Sequence, residues 1–189
     1  MDKKAEFITI YQKNIKREGA DKFLQWLETT DFFTCPASTR FHNNFEGGLV
    51  EHSLNVYYRL KRLVEFEKIT VNEESLAVIA LLHDVCKANT YKVESRNVKR
   101  DGAWVQEPYY TVDDQLPYGH GEKSVYIISG FMKLSREEAM AINWHMGPYD
   151  ARNAGNNYTL SDAFTKFPLA LIMFIADIGS TYLDETTKK

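Results

Sequence analysis

The sequence predicts a mostly α-helical fold carrying one small β-hairpin at about residues 91–113, and three observations lead there. Apolar residues recur at helical spacing through most of the chain, as they do in helices with one buried face. One interval, "TYKVESRNVK" and "AWVQEPYYTVD", is instead rich in β-branched and aromatic residues around Arg100, Asp101 and Gly102, which reads as two strands and a turn. No internal repeat, low-complexity tract or interdomain linker stands out, so residues 1–189 are expected to form one domain.

The first helix is expected over Lys3–Arg17, with Phe7, Ile8, Ile10, Tyr11 and Ile15 at helical spacing and Gly19 as its stop. A short second helix follows from Ala20 to Thr29, and residues 3–29 should pack on the core. Asp31–Gly48 loses periodicity and carries Pro36, two asparagines and a Gly-Gly pair, so it reads as a loop, with His42 inside it. From Leu49 to about Lys68, the residues Leu49, Val56, Leu60, Leu63 and Val64 form one apolar stripe, and His52 falls within it. Thr70 or Asn72 can cap the next helix, Glu73 to about Leu82, which is apolar enough to be buried on most sides. Beyond the hairpin, helical spacing returns at Glu122–Met132, and Ser135 with Glu138 makes a capping box for a helix to about Met146. Gly147–Lys166 reads as irregular, Leu169–Tyr182 as an apolar helix, and the tail "DETTKK" as frayed.

Composition narrows the function classes. At 44% hydrophobic and 26% charged residues the chain has the balance of an ordinary globular protein. A net charge of -3 and a pI near 6.0 give no global drive toward nucleic acid or membrane surfaces. The longest apolar run, Pro168–Ile178 interrupted by Asp177, is well short of the ~20 residues of a membrane span, and no membrane partner is expected. Two cysteines, Cys35 and Cys86, with no apolar N-terminal segment, point to a reducing, cytoplasmic setting without a disulfide framework.

Three polar residues sit where apolar ones are expected: His52 in its stripe, Asp84 after "ALL", and Asp177 in "LALIMFIADIGS". A lone histidine on an apolar face is usually hydrogen-bonded core, but a carboxylate withdrawn from water demands a cation or a proton, and no basic residue surrounds Asp177 in its helix. Together His52, His83, Asp84 and Asp177 offer two imidazoles and two carboxylates, a set suited to Mn, Fe, Zn or another divalent metal ion. Such an ion would supply the charge Asp84 lacks and lower the pKa of a water so that it attacks near neutral pH.

In that order along the chain, "GGLVEHS", "LLHDVCK" and "FIADIGS" resemble the motif series of the HD-domain metal-dependent phosphohydrolases, over roughly residues 41–182. The resemblance implies an HD-domain-like helical bundle with His52, His83, Asp84 and Asp177 as ligands of a first metal and Lys87 near the substrate phosphate. His120 in "YGHGEKS" and His145 in "NWHMG" occupy the interval where some branches of that family bind a second metal, bridged here by Asp84; a substrate or structural role is the equal alternative. His42 is expected to be a substrate contact or structural residue. One or two divalent ions are thus implied, drawn from Mn, Fe, Mg, Co, Ni or Zn.

Phosphoester cleavage also needs positive charge near the phosphoryl oxygens. Lys87 lies one turn beyond His83 if the helix continues, and Arg96, Lys99 and Arg100 on the hairpin are candidates, against the plainer reading of a solvated face. Asp84, Lys87 and His120 are the expected catalytic residues, with His120 a candidate proton donor to the leaving group. Tyr91, Trp104, Tyr109, Tyr110 and Tyr118 either line a base pocket or pack the hairpin on the bundle. The implied activity is hydrolysis of a phosphate mono- or diester of a nucleotide or similar small organic phosphate. "GGLxEHS" and "GH" also resemble the HD part of certain bacterial exoribonucleases, which leaves a 3'-5' exonuclease on single strands as one alternative. A nucleotide-binding sensor that keeps the metal site without turnover is the other.

Overall fold

The segment expected to be buried on most sides forms the centre of the molecule. In the computed structural model, which describes residues 2–153 and 158–185, every side chain from Leu76 to Leu82 is buried. In chain order the elements are α1 (Lys3–Asn14), α2 (Ala20–Glu28), α3 (Gly48–Phe66), α4 (Glu73–Leu82), β1 (Tyr91–Arg100), β2 (Ala103–Val112), α5 (His120–Ser129), α6 (Arg136–Asn143), α7 (Thr159–Lys166) and α8 (Pro168–Gly179). Helix α4 packs on α1, α3 and α6, while α8 closes the other side of α3 and α6. Asn72 caps α4 by accepting from the Ser75 N–H at 2.7 Å. Phe7, Tyr11, Phe23 and Leu27 tie α1 and α2 into the same hydrophobic cluster. The mostly α fold with a hairpin is therefore the one observed.

The hairpin is antiparallel, with Tyr91 opposite Val112 and Arg100 opposite Ala103. Its two-residue turn has Asp101 at φ 48° and Gly102 at φ 86°, the pair of positive values that matches strand twist. Among the described residues no single helix is long and apolar enough to cross a membrane, and the apolar pair α7 and α8 with the turn after it is bent by 108°.

Four sequence-based expectations are corrected. Residues 147–166 are not wholly irregular: α7 buries Leu160 and Ala163 against Trp144, and two turns are too few to show periodicity; residues 154–157 lie outside the described residues. Helix α6 ends at Asn143 rather than near Met146. Helix α4 ends at Leu82, so Asp84 lies in the turn before a short 3₁₀ segment, Val85–Lys87, rather than on a continuing helix. The polar tail is docked where it is described: a π-turn, Ser180–Asp184, follows α8, Asp184 pairs with Arg59 at 2.7 Å, and Glu185 is buried. Residues 186–189 of that tail lie outside the described residues.

Glu138 ties α6 to α4 and to the segment between α1 and α2, as well as capping α6. Its carboxylate, 1% exposed, accepts from both terminal nitrogens of Arg17 at 2.7 Å, from the Ser75 hydroxyl at 2.6 Å and from the Ser135 N–H at 2.8 Å. Burial alone would raise its pKa, but the Arg17, Ser75 and Ser135 hydrogen bonds outweigh it and hold the carboxyl below its ordinary value. A depressed carboxyl contributes stability that is complete above the unfolded value of about 4.3 and is lost as pH falls through the folded one. Glu138→Gln should cost about 3 kcal/mol at neutral pH by leaving Arg17 without its bidentate partner. Urea unfolding should show the gap between the two proteins narrowing on acidification below that unfolded value; a gap independent of pH would remove the carboxylate from the argument.

Candidate metal centre

The loop before α3 brings His42 against the His52 helix through a close chain crossing. A Cβ on Gly48 would lie 1.9 Å from the Asn43 carbonyl oxygen, the atom that accepts from the Ala37 N–H at 3.0 Å. Only glycine fits there. Gly48→Ala should cost about 2–3 kcal/mol through overpacking and move the loop that carries His42, read as a lowered Tm; an unchanged Tm would show that the crossing relaxes freely.

Three histidines reach the interior with one ring nitrogen already committed. His83 donates Nδ1–H to the Ala80 carbonyl at 2.9 Å and His145 donates Nδ1–H to the Ile142 carbonyl at 2.7 Å. A carbonyl can only accept, so both rings carry the proton on Nδ1 and turn an Nε2 lone pair inward. Each bond reaches back three residues, just where α4 and α6 stop. His52, in the middle of α3, donates Nδ1–H to Glu185, whose two carboxylate oxygens both lie at 3.0 Å. Glu185 is held in turn by the Asn55 amide at 2.9 Å.

The free nitrogens converge on two aspartates. His52 Nε2 lies 3.2 Å from His83 Nε2, 3.1 Å from Asp177 Oδ1 and 3.6 Å from Asp84 Oδ2. His83 Nε2 is 3.5 Å from Asp84 Oδ2 and 4.0 Å from Asp177 Oδ1. The other oxygen of Asp84 faces His120 Nε2 at 2.9 Å and His145 Nε2 at 3.4 Å. Asp84 thus stands between two groups of imidazoles, and residues 83 and 84, 52 and 177, far apart along the chain, meet. The Lys87 ammonium folds back onto Asp84 Oδ2 at 2.6 Å.

This arrangement fits a divalent cation. The His145 Nε2 is fully buried and has no hydrogen bond among the described residues, a costly state for a polar atom. Imidazole nitrogens whose far side is anchored by a carbonyl or carboxylate are ready-made ligands, and the nitrogen and oxygen set suits several first-row ions. The profile of the HD domain matches residues 49–180, an interval that holds all of these histidines and both aspartates. The chain belongs to the HD-domain family.

A curated relative is the dihydroneopterin 2',3'-cyclic phosphate phosphodiesterase of Methanocaldococcus jannaschii, 40% identical over 61 residues. That match spans 30% of this HD-domain chain and 24% of the archaeal protein. No solved structure matches the chain at a significant level.

Electrostatics within the HD domain follow from the packed carboxylates. Burial works against a charged His52, yet its hydrogen bonds to Asp177 and Glu185 push its pKa up to about 10. Burial is the dominant influence on His83 and holds it below its ordinary value. Burial opposes ionisation of Asp84, but Lys87 and the surrounding imidazoles keep its pKa well below the usual carboxylate range. A pocket that holds protons and an ammonium this firmly is one that attracts a cation.

The centre opens into a cavity of about 510 Å³ lined by His42, Asp84, Lys87, Tyr91, His120 and Asp177, among others. Arg96 and Lys99, read from the sequence as substrate-binding, do not line it; they lie five and eight residues along β1 from Tyr91, and Arg96 borders a neighbouring cavity. Trp104 at the hairpin tip is 72% exposed rather than packed on the bundle, and Tyr118 stacks on Tyr126. Two residues near the centre were not read as site candidates. Cys86 offers its sulfur to the group formed by Asp84 and His120, and its signal was its place beside His-Asp. Glu185 carried none, because a glutamate in a polar tail looks solvated.

Proposed function

We propose that this HD-domain protein is a metal-dependent phosphohydrolase acting on a phosphate mono- or diester of a nucleotide or similar small organic phosphate. The observation that carries the reading is the convergence of inward Nε2 atoms of His52, His83 and His145 on Asp84 and Asp177, each ring anchored from behind. The likeness to the archaeal phosphodiesterase supports the same chemistry.

In this reading His52, His83, Asp84 and Asp177 hold one divalent ion, and His120 and His145, on the other oxygen of Asp84, are suited to a second. When bound, such an ion acidifies a coordinated water and draws charge from phosphoryl oxygens. Lys87 supplies a fixed positive charge at the cavity wall, where phosphoryl oxygens gain charge in the transition state. Where His120 is not engaged by a second ion, its side chain, 35% exposed and lining the cavity, is suited to pass a proton to the leaving oxygen. His42, over His52 with ring centroids 5.0 Å apart, orients substrate from the opposite wall.

The test is phosphate release from a panel of nucleotides, including 2',3'-cyclic phosphates, after chelator stripping and with Mn²⁺, Mg²⁺, Fe²⁺, Co²⁺ and Ni²⁺ supplied singly. Release should require an added ion. Hydrolysis that survives stripping, or no hydrolysis with any ion, overturns the proposal.

A further inference from the structure

The two oxygens of Asp84 face unlike surroundings. Oδ2 is turned to His52, His83 and the Lys87 ammonium, whereas Oδ1 faces the Nε2 atoms of His120 and His145 at 2.9 and 3.4 Å. A third donor stands with His120: the Cys86 sulfur, an Asp84 oxygen and a His120 ring nitrogen all lie within 4.8 Å of one another. Local folding puts the thiol there. Val85–Lys87 winds as a short 3₁₀ segment directly after Asp84, and the Cys86 N–H donates to the Ser124 hydroxyl at 3.2 Å. Ser124 lies one turn along α5 from His120, the first residue of that helix, so this bond seats the segment against the start of α5. Cys86 is 2% exposed and forms no disulfide.

A buried cysteine is ordinarily a small apolar residue, so the thiol alone carries nothing. The second observation is His145. Its ring is fully buried, its Nδ1–H is committed to the Ile142 carbonyl, and its Nε2, 3.4 Å from Asp84 Oδ1, has no hydrogen bond among the described residues. A lone pair kept dry and unpaired at that point calls for an electrophile. One sulfur, two imidazole nitrogens and a carboxylate oxygen are a donor set of the kind and number that zinc takes.

We infer that Cys86 is a ligand of the second ion, and that the Oδ1 half of the centre therefore selects a thiophilic divalent ion such as Zn²⁺ over Mg²⁺ or Mn²⁺. Thiolate favours zinc, while carboxylate and water suit magnesium and manganese. The opposite half, His52, His83 and Asp177 with Asp84 Oδ2, offers nitrogen and oxygen only, so the two positions are chemically unlike. On binding, the Cys86 S–H gives its proton to water and the sulfur lone pair forms the bond to the ion. The inference rests on the metal-centre reading and adds sulfur to it.

The experiment is a Co²⁺ titration of the chelator-stripped full chain read by absorbance, because a cysteine sulfur on cobalt gives an intense near-ultraviolet charge-transfer band that imidazole and carboxylate ligands do not. The wild-type protein should show the band. It should be lost in Cys86→Ser and survive in Cys35→Ala, which removes the other of the two cysteines; if Cys86→Ser does not fold, survival in Cys35→Ala assigns the sulfur. An excess of Zn²⁺ should erase the band, and the same excess of Mg²⁺ should leave it. Visible cobalt bands without the charge-transfer band in the wild type, or a band that survives Cys86→Ser, overturn the ligand and leave the metal centre. No cobalt spectrum at all overturns both. A band that depends on Cys86, in a protein that releases phosphate from no substrate, removes the catalytic reading and leaves the ligand.

Discussion

Asp84→Ala should leave the protein unable to retain a divalent ion and without phosphate release from any substrate. Both oxygens of Asp84 are in use, one toward His52, His83 and Lys87 and the other toward His120 and His145, so its loss removes a ligand from both halves of the centre. The loss in metal affinity should exceed the 10–100-fold that substitutions behind a ligand cost, measured as metal content of protein purified without chelator. Lys87 is 8% exposed, and removing its carboxylate strands a buried ammonium, which should cost about 3–5 kcal/mol. Adding Lys87→Met to Asp84→Ala should recover much of that stability and none of the metal. Metal content equal to wild type in Asp84→Ala would overturn the site.

The second large effect is expected at Glu185. Glu185→Ala should weaken divalent-ion binding roughly 10–100-fold, because His52 loses the anion that holds its Nδ1–H from behind and aims Nε2 at the centre. Asn55 loses its acceptor in the same variant. Glu185→Gln, which keeps shape and an acceptor oxygen but not the charge, should fall between. A Co²⁺ titration followed by absorbance reads both without reference to turnover. Affinities equal to wild type in both variants would show that the His52 contact is packing only.

The centre was legible in the sequence to the extent that burial contradicts polarity. Asp84 and Asp177 stood out because nearby residues are apolar and a lone carboxylate among them needs a partner; the structure brings both to His52. His120 and His145 could be noticed but not assigned, since spacing does not say which oxygen of Asp84 a distant ring will face. Arg96 was legible as a cation on a strand, while its place beside a second cavity depends on how the hairpin lies against the 37–44 loop. Whether the helix continues past His83 was not legible, because the bond from His83 Nδ1 to the Ala80 carbonyl competes with helical pairing only once the ring is turned inward.

Local chemistry and periodicity determined the helices other than α7, the hairpin with its Asp101-Gly102 turn, the capping box at Ser135 and Glu138, and the residue types of a metal site, since each depends on neighbours a few positions away. Tertiary structure alone decided that Arg17 clasps Glu138 from 121 residues away, that Glu185 reaches back 133 residues to His52, and that loop and hairpin enclose a second groove. Those contacts cost chain entropy that no local preference repays, so they exist only where packing of the whole bundle holds their partners together.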